Sequence, residues 1–441
     1  MAPTSAGMRP FFIVWAGQLV SVTGTALTGF GLQVWVFLET GSVTRLALVS
    51  LFLALPAVLL SPVAGALVDR WDRRLAMLGA DAAAGAATLV IAVLFFTDSL
   101  QLWHAYLLIG VGAAANAFQV PAWMAAVTVL VPARHLGRAN GLVQLNEGLS
   151  LVAAPALAGA LLATVGLGGV LLADVITFAV GVATLTLVRF PRPEATAETA
   201  GTGSIRGDVA SGWSYLRRRV GLLYLLVIYA AVNFVFSMVF VLLIPLVLSF
   251  ASEAAAGAVY TIGGIGVVVA SLVVGARGVP QRKVAVVMAG IFADGMFLLL
   301  TGWRAALTPI AIGAILMFAN GTVVNATSQV IWQTKVAPAI QGRVFALRRM
   351  LAQLISPLAI LLAGPLADRI FEPAMAEDGP LAGSVGRVLG TGPGRGIGLM
   401  IVLSGLAIST LALIGWLHPR VRNLETELPD QTPADDAGPL A

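Results

Sequence analysis

Cysteine is absent from this 441-residue chain, and histidine occurs only three times. Without cysteine the chain forms neither disulfide bonds nor thiolate metal sites. His104, His135 and His418 lie on different segments, so no two histidines have the helical spacing of a zinc site. We therefore predict no metal site and no cofactor, and we do not expect an enzyme.

Charged residues are also scarce, at 11% of the chain, whereas 59% of the residues are hydrophobic. A soluble fold of this length could not bury so much apolar surface, which indicates a polytopic protein of the lipid bilayer. The formal net charge of +5 does not predict nucleic-acid binding, because the basic residues form small clusters between apolar runs.

About twelve apolar runs are long enough to cross a bilayer as helices, and we number them as segments one to twelve. They span residues 11–38, 45–68, 75–97, 102–120, 139–164, 168–189, 220–250, 255–276, 284–303, 306–324, 349–371 and 396–417. The even number predicts that both termini lie on the same side of the membrane.

The basic residues predict which side that is. With the connections assigned to alternate sides, 21 of the 26 lysines and arginines fall on one side. Basic residues concentrate on the cytoplasmic side of membrane proteins. We expect a multi-pass protein of the cell inner (plasma) membrane with both termini in the cytoplasm. The preference for arginine over lysine is typical of GC-rich bacterial genomes.

The longest polar stretch of the interior divides the segments six and six. Residues 1–190 are predicted to form an N-terminal six-helix bundle, 191–219 a cytoplasmic linker, 220–424 a C-terminal six-helix bundle and 425–441 a disordered cytoplasmic tail. The halves resemble each other: Gly137-Arg138 and Ala158-Gly159 recur as Gly342-Arg343 and Ala363-Gly364. We predict an all-α fold of two pseudo-symmetric bundles, with the substrate site between them.

A short charged turn connects segments two and three, and its sequence resembles the G-x-L-x-D-R-x-G-R-R loop of the major facilitator superfamily. The matching residues are Gly65, Leu67, Asp69, Arg70, Arg73 and Arg74. Asp72 replaces the second glycine. The resemblance is to the bacterial drug and macrolide efflux branch, and it implies that Asp69 and the arginines form a gating charge relay between the halves. From the residues alone, a positive-inside anchor is the alternative.

Segment five resembles, more weakly, the antiporter motif of the same superfamily. Gly141, Pro155 and Gly159 match it, whereas three further glycines are replaced by serine or alanine. Small residues and a proline favour either a gate hinge or ordinary close packing of helices. In segment four, Tyr106 occupies the position of the arginine that many antiporters use for proton coupling.

Ionisable residues inside the apolar segments are candidates for proton coupling, since they usually face a cavity or a partner. Asp294, Asp81 and Glu147 are these candidates. A structural hydrogen bond is the alternative for Asp294. For Asp81 and Glu147 the alternative is a gate ion pair with Arg70, Arg138 or Arg343. Asp174 is expected at a membrane boundary. A second Gly-Pro-Leu-Ala-Asp-Arg sequence, at 364–369, is expected to form a helix-end cap and an ion pair on the outer side.

Amides and aromatic residues on segments one, four, seven and ten are candidates for the substrate cavity that the resemblance implies. They are Gln18, Gln33, Asn116, Asn233, Phe236, Asn320 and Asn325. A mostly apolar pocket with a few amides favours a bulky amphipathic solute. Helix packing by the same residues is the alternative.

The resemblance implies a secondary active transporter, an antiporter of the multidrug-resistance type. We expect proton-coupled efflux of small amphipathic molecules, such as a drug, a macrolide or a siderophore-like compound, by alternating access. The expected partners are the small-molecule substrate, protons and the bilayer, and we expect a monomer. Tyr106 and the altered segment-five motif motivate an alternative, a transporter-fold receptor or scaffold that does not transport.

Overall fold

The structure, a computed structural model, describes residues 8–68, 71–132, 135–188, 190, 211 and 213–430. In this part of the chain 11 helices are long and apolar enough to cross a membrane. They are α1 Arg9–Thr40, α2 Val43–Val68, α3 Arg73–Phe96, α4 Leu102–Leu130, α5 Leu136–Leu187, α6 Val220–Leu248, α7 Glu253–Arg277, α8 Lys283–Trp303, α9 Leu307–Lys335, α10 Pro338–Leu366 and α11 Arg395–Leu417.

Helix α5 contains two predicted segments, five and six. It is 52 residues long, whereas one crossing needs about 20. Its backbone turns at Gly166, where φ is 68° and ψ is −170°. Only glycine adopts such a conformation without strain. The eleven helices therefore provide twelve crossings, and the predicted all-α membrane fold is confirmed.

The apolar runs form helices because a helix satisfies every interior backbone hydrogen bond within one segment. The connections end them in recognisable ways. Gly41 terminates α1 with a positive φ of 60°. Asp72 begins α3, and its carboxylate accepts hydrogen bonds from the backbone amides of Arg74 and Leu75 at 2.9 and 3.1 Å. The residue that breaks the glycine pattern of the charged turn is thus a helix cap.

The described residues form two compact units. The first comprises those within Met1–Ala197, Phe240–Gly264 and Ile360–Ile397, and the second those within Glu198–Val239, Ile265–Ala359 and Gly398–Ala441. In the first unit α1 packs on α5, and α4 packs on α2 and α3. Phe11 and Trp123 stack in its core with ring centroids 5.9 Å apart. In the second unit α8 packs on α9, and Trp332 is fully buried.

Several predicted boundaries differ from the structure. Helix α4 continues to Leu130 and α9 to Lys335, whereas segments four and ten are predicted to end at residues 120 and 324. Segment eleven, predicted from residue 349, begins at Pro338, because its first turns carry arginines that the apolar pattern leaves in the preceding loop. The predicted tail begins as a helical turn, Leu424–Glu427. The linker residues 191–210 and 212 and the tail residues 431–441 lie outside the described part of the chain.

Candidate functional site

The first unit contains a cavity of about 450 Å³. Helices α1 to α5 line it, together with the second half of α6 and the start of α7. Three of the predicted cavity residues, Gln18, Gln33 and Asn116, are among its lining residues. We refer to it as the first-unit cavity.

A buried polar network forms one wall of this cavity. Gln18 Nε2 donates to Asp81 Oδ2 at 3.1 Å, and Gln119 Nε2 donates to Gln18 Oε1 at 2.8 Å. Asp81 is only 7% exposed. Its partner is an amide, and among the described residues it forms no ion pair with an arginine. The gate ion pair considered for Asp81 is therefore not formed within this part of the chain.

Aromatic and aliphatic side chains form the opposite part of the lining. Tyr260 packs edge to face against Phe30 and Phe240, with centroids 5.7 and 5.1 Å apart. Its hydroxyl donates to the Phe240 carbonyl at 2.6 Å, so the polar end of this side chain already has a hydrogen-bond partner. The first-unit cavity thus combines a large apolar surface with few polar groups, an arrangement typical of sites for amphipathic ligands.

Sequence reasoning missed several polar residues of the first-unit cavity. Gln119 and Ser150 are buried and line it. Gln119 lies three residues after Asn116, so helical spacing could have identified it. Gln33 accepts a hydrogen bond from Ser50 at 2.9 Å, which fixes its amide at the wall.

The second unit contains the remaining predicted cavity residues. Asn233, Phe236 and Asn325 line a cavity of about 300 Å³ together with Asp294. Asn320 is not part of this lining; its amide instead donates to Asp294 Oδ1 at 2.8 Å and to the Gly290 carbonyl at 2.9 Å. Asp294 is only 2% exposed. It has the hydrogen bond to a neighbouring helix that was considered as the structural alternative.

Asp174 is buried among the helices of the first unit. It is 2% exposed, and Thr88 Oγ1 donates to its Oδ2 at 3.0 Å. It lies two turns after Gly166, near the start of the second crossing of α5, and its position at a membrane boundary stays a prediction.

Only part of the predicted gate lies within the described residues. Asp69 and Arg70 lie outside them, and for Gly65 only the backbone, in α2, is described. Arg73 Nη1 donates to the Ala125 carbonyl at 3.2 Å. Arg74 donates to the carbonyls of Leu185 and Thr186 at 3.0 and 2.8 Å. Both arginines therefore bind carbonyl groups near the C-terminal ends of α4 and α5, where the helix dipole is negative.

The other gate candidates lie on helices α5 and α10. Arg138 and Arg343 are exposed, near the start of α5 and α10 respectively. The Glu147 backbone belongs to α5, but its side chain lies outside the described part. The role of these three residues stays a prediction.

The predicted hinge residues differ in their surroundings. A Cβ atom added at Gly159 would lie 2.9 Å from the Glu253 carbonyl oxygen and 3.2 Å from the Cα atoms of Ala254 and Gly257. Helices α5 and α7 thus touch backbone to backbone at this point. A Cβ added at Gly141 would meet none of the described atoms within 4 Å. Gly159 therefore has a packing role, and Gly141 does not.

Asp368, in the second Asp-Arg sequence at 364–369, caps the N-terminus of helix α2 and not the helix that precedes it in the chain. Asp368 lies in a π-helical turn, Ala367–Phe371, that extends α10. Its carboxylate accepts hydrogen bonds from Ser42 Oγ at 2.7 Å and from the amides of Val43 and Thr44 at 2.9 Å. These groups begin α2, so Asp368 satisfies the N-terminus of that helix within the first unit.

Tyr106 occupies its position in α4 as a packing residue. Its ring stacks on Phe52 at 5.7 Å, and its hydroxyl donates to the Arg45 carbonyl at 3.2 Å. The side chain therefore does not line the first-unit cavity.

Comparison with known proteins gives relatives across most of the chain. This chain is 28% identical over 378 residues to macrolide efflux protein A of Streptococcus pyogenes. The alignment covers 82% of this chain and 90% of that protein. It is 27% identical over 388 residues to the multidrug efflux pump Tap of Mycobacterium tuberculosis (strain ATCC 25618 / H37Rv), covering 81% of this chain and 87% of that one.

Solved structures share the fold at low sequence identity. A bacterial homolog of the human lysosomal transporter Spinster matches with a TM-score of 0.67 and 13% identity, covering 96% of this chain and 99% of that one. The nucleoside transporter NupG gives a TM-score of 0.63, also at 13% identity, covering 92% of this chain and 99% of that one. The family profile of the Major Facilitator Superfamily matches residues 14–360. With helices, cavities and relatives in agreement, the chain belongs to the major facilitator superfamily, among relatives of the bacterial drug-efflux branch.

Proposed function

We propose that this transporter is a proton-driven exporter of small amphipathic molecules that works by alternating access. The observation that carries the proposal is the first-unit cavity, whose volume of about 450 Å³ lies within the range for drug-sized ligands. The names of the efflux relatives support the direction of transport. The proposal includes a monomer in the plasma membrane, with both termini in the cytoplasm and two six-helix halves.

Two buried carboxyl groups are candidates for carrying the proton. Asp81 lines the first-unit cavity and Asp294 lines the cavity of about 300 Å³ in the second unit. Each is hydrogen-bonded to an amide, Gln18 or Asn320, rather than to an arginine. An amide can donate to a carboxylate or, after reorientation, accept from a carboxylic acid, so it accommodates both protonation states.

The contact between Asp368 and the start of α2 supports a gating role for this region. It joins the start of α2 to the π-helical turn Ala367–Phe371, on the outer side by the predicted topology. Alternating access requires such a contact to form and break during each cycle. Its three hydrogen bonds join one carboxylate to neutral groups, so water can replace them when the region opens.

Transport by inverted membrane vesicles tests the proposed function. Vesicles that contain the chain should accumulate a fluorescent amphipathic dye such as ethidium when a respiratory substrate energises the membrane. A protonophore, which dissipates the proton gradient, should abolish the accumulation. The Asp81→Asn variant should lose most of this uptake. If no compound of a broad amphipathic panel shows energy-dependent uptake, the proposed export function is wrong.

A second candidate function is a receptor or scaffold that does not transport. The packing of Tyr106 against Phe52 supports it, since the position used elsewhere for proton coupling here stabilises the helix pair. Because the chain has no cysteine, a pair of introduced cysteines can carry spin labels without background. One pair of labels would lie on the cytoplasmic side and another on the outer side of the membrane. If the distance between the labels of each pair has a single distribution that ligand does not change, the receptor or scaffold is favoured over the exporter.

A further inference from the structure

A cavity of about 350 Å³ in the second unit is positively charged. Helices α6, α9 and α10 form it, and its polar lining consists of Tyr229, Asn233, Asn325, Gln329, Arg348 and Arg349. We propose that this cavity, the Arg348 cavity, binds the oxyanion head group of an amphipathic organic acid, with Arg348 recognising the negative charge. The proposal goes beyond the export function above, which rests on the first-unit cavity.

Neutral groups hold the Arg348 side chain in place. Its Nη1 donates to Gln329 Oε1 at 2.9 Å, and its Nη2 lies 3.4 Å from Ser328 Oγ. The guanidinium carbon lies 5.3 Å from the Trp332 ring and 5.7 Å from the Tyr229 ring. Aromatic faces and amides orient the guanidinium group but leave its charge uncompensated.

No carboxylate within the described part of the chain lies within 4.0 Å of Arg348. The residue is half-buried, and it lies ten positions after the start of α10, roughly 15 Å along the helix. A half-buried cation is costly to desolvate unless a partner of opposite charge is close. An anionic ligand would supply that partner.

The chemistry of the lining fits an oxyanion. A guanidinium group has five N–H donors in a planar fork that matches a carboxylate or a phosphate. Two of the nitrogens of Arg348 already make one bond each, which leaves donors for a ligand. The amides of Asn233 and Asn325 add neutral donors, and Leu226, Phe345 and Leu351 provide an apolar surface for the rest of the molecule.

Asp294 restricts where the acidic head group can bind. It lines the neighbouring cavity of about 300 Å³, and that cavity shares Tyr229, Asn233 and Asn325 with the Arg348 cavity. While Asp294 is ionised, a ligand carboxylate is repelled from the Asp294 side and attracted to the Arg348 side. The second unit therefore selects both for an acid and for one orientation of that acid.

Calorimetric titration of the full chain in phosphatidylcholine nanodiscs tests the site. The probes are 2-naphthoate and its uncharged analogue 2-naphthamide, with empty nanodiscs as the control for partition into lipid. Wild type should bind the acid at least about tenfold more tightly than the amide, as expected for a charge-assisted contact. Arg348→Gln should reduce this difference at least several-fold, with Arg349 of the same lining supplying the remaining attraction.

Two further variants keep the test decisive. Arg348→Lys keeps the charge but not the planar fork, so it should bind 2-naphthoate several-fold more weakly than wild type and still prefer the acid. Arg277→Gln removes one positive charge from the exposed end of α7 and should bind like wild type. Equal binding of acid and amide by wild type, or an unchanged preference in a folded Arg348→Gln variant, would overturn the proposal.

The natural source of the oxyanion is either a free organic acid or an acidic lipid. Adding phosphatidylglycerol to the nanodiscs distinguishes them. If the lipid phosphate occupies the cavity, phosphatidylglycerol should weaken 2-naphthoate binding in wild type and not in Arg348→Gln. If the site takes free acids, the lipid should leave the affinity unchanged. Because these experiments measure binding constants, their outcome does not depend on whether the protein transports, and a failed binding test can be distinguished from a failed export test.

Discussion

The buried carboxyl groups of this chain have neutral hydrogen-bond partners. Asp81 is bonded to Gln18, Asp294 to Asn320 and Asp174 to Thr88. An arginine partner would hold a carboxyl group in its charged form, whereas an amide or a hydroxyl permits both forms. The hydrogen-bond partner of each buried carboxyl group therefore determines whether the group can take up a proton.

Asp294→Asn tests this distinction at one residue. The substituted amide keeps the size of the side chain and a hydrogen bond with Asn320, but it cannot take up or release a proton. We expect protein yield to be unchanged and energised dye uptake into inverted vesicles to fall by about tenfold or more, corresponding to about 1.4 kcal/mol. Asp378→Asn, an exposed acid that lines neither cavity, is the control, with uptake close to that of wild type. Normal uptake by Asp294→Asn would exclude it as a proton carrier.

Asp368→Asn tests the cap on α2. The amide provides one acceptor in place of two and carries no charge for the positive end of the helix. We expect a lower melting temperature, consistent with a loss of about 1–3 kcal/mol, and a larger outward-open population in spin-label distances. Asp378→Asn, an exposed acid of the same loop, should change neither measurement. A wild-type melting curve for Asp368→Asn would contradict the cap.

The sequence allowed some of these residues to be predicted, but not others. Gln18, Gln33 and Asn116 are recognisable as polar groups in apolar segments, and they line the first-unit cavity. The apolar pattern leaves Arg348 in a loop, because its charge marks the end of a segment. The partner of Asp368 could not be found, since 326 positions separate it from Ser42 and only tertiary folding brings them together.

At the scale of the helices, small residues determine how closely two elements approach. The crossing of α5 and α7 depends on Gly159 and Gly257, and Thr261 of α7 adds a bond to the Val152 carbonyl at 3.1 Å. The weak antiporter motif therefore retains glycine where two backbones meet. Sequence patterns predicted the helices themselves, because apolar length determines a crossing. They did not predict how segments five and six are joined, through a turn that requires a single glycine, Gly166.

Gly159→Leu should disrupt the α5–α7 crossing. The added side chain would collide with backbone atoms of Glu253 and Ala254, which cannot move aside as a flexible side chain would. We expect reduced yield of folded protein and loss of uptake. Gly141→Leu, in the same helix but with open space beside it, should retain both. Equal behaviour of the two variants in fluorescence-detected gel filtration would show that close approach at Gly159 is unimportant.

At the scale of the whole molecule, the orientation in the membrane follows from the distribution of basic residues. The absence of cysteine makes every introduced cysteine a unique label. Ser99→Cys lies in the exposed connection between α3 and α4, which is predicted to be outside, and Ser214→Cys lies in the exposed stretch before α6, which is predicted to be inside. We expect a membrane-impermeant maleimide to label Ser99→Cys in intact cells and Ser214→Cys only after permeabilisation. The reverse pattern would overturn the topology.

The C-terminal end of the described chain is anchored by a buried ammonium group. Lys335 Nζ donates to the Glu425 and Leu428 carbonyls and lies 2.8 Å from Asp430 Oδ1, while Glu425 accepts from the amides of Lys283 and Val284 at 3.1 Å. Truncation before Glu425 would remove these three acceptors and leave the Lys335 ammonium group buried without them. Affinity tags and fluorescent fusions for purification should therefore be attached beyond Asp430, and expression clones shortened to the last crossing should yield aggregated protein.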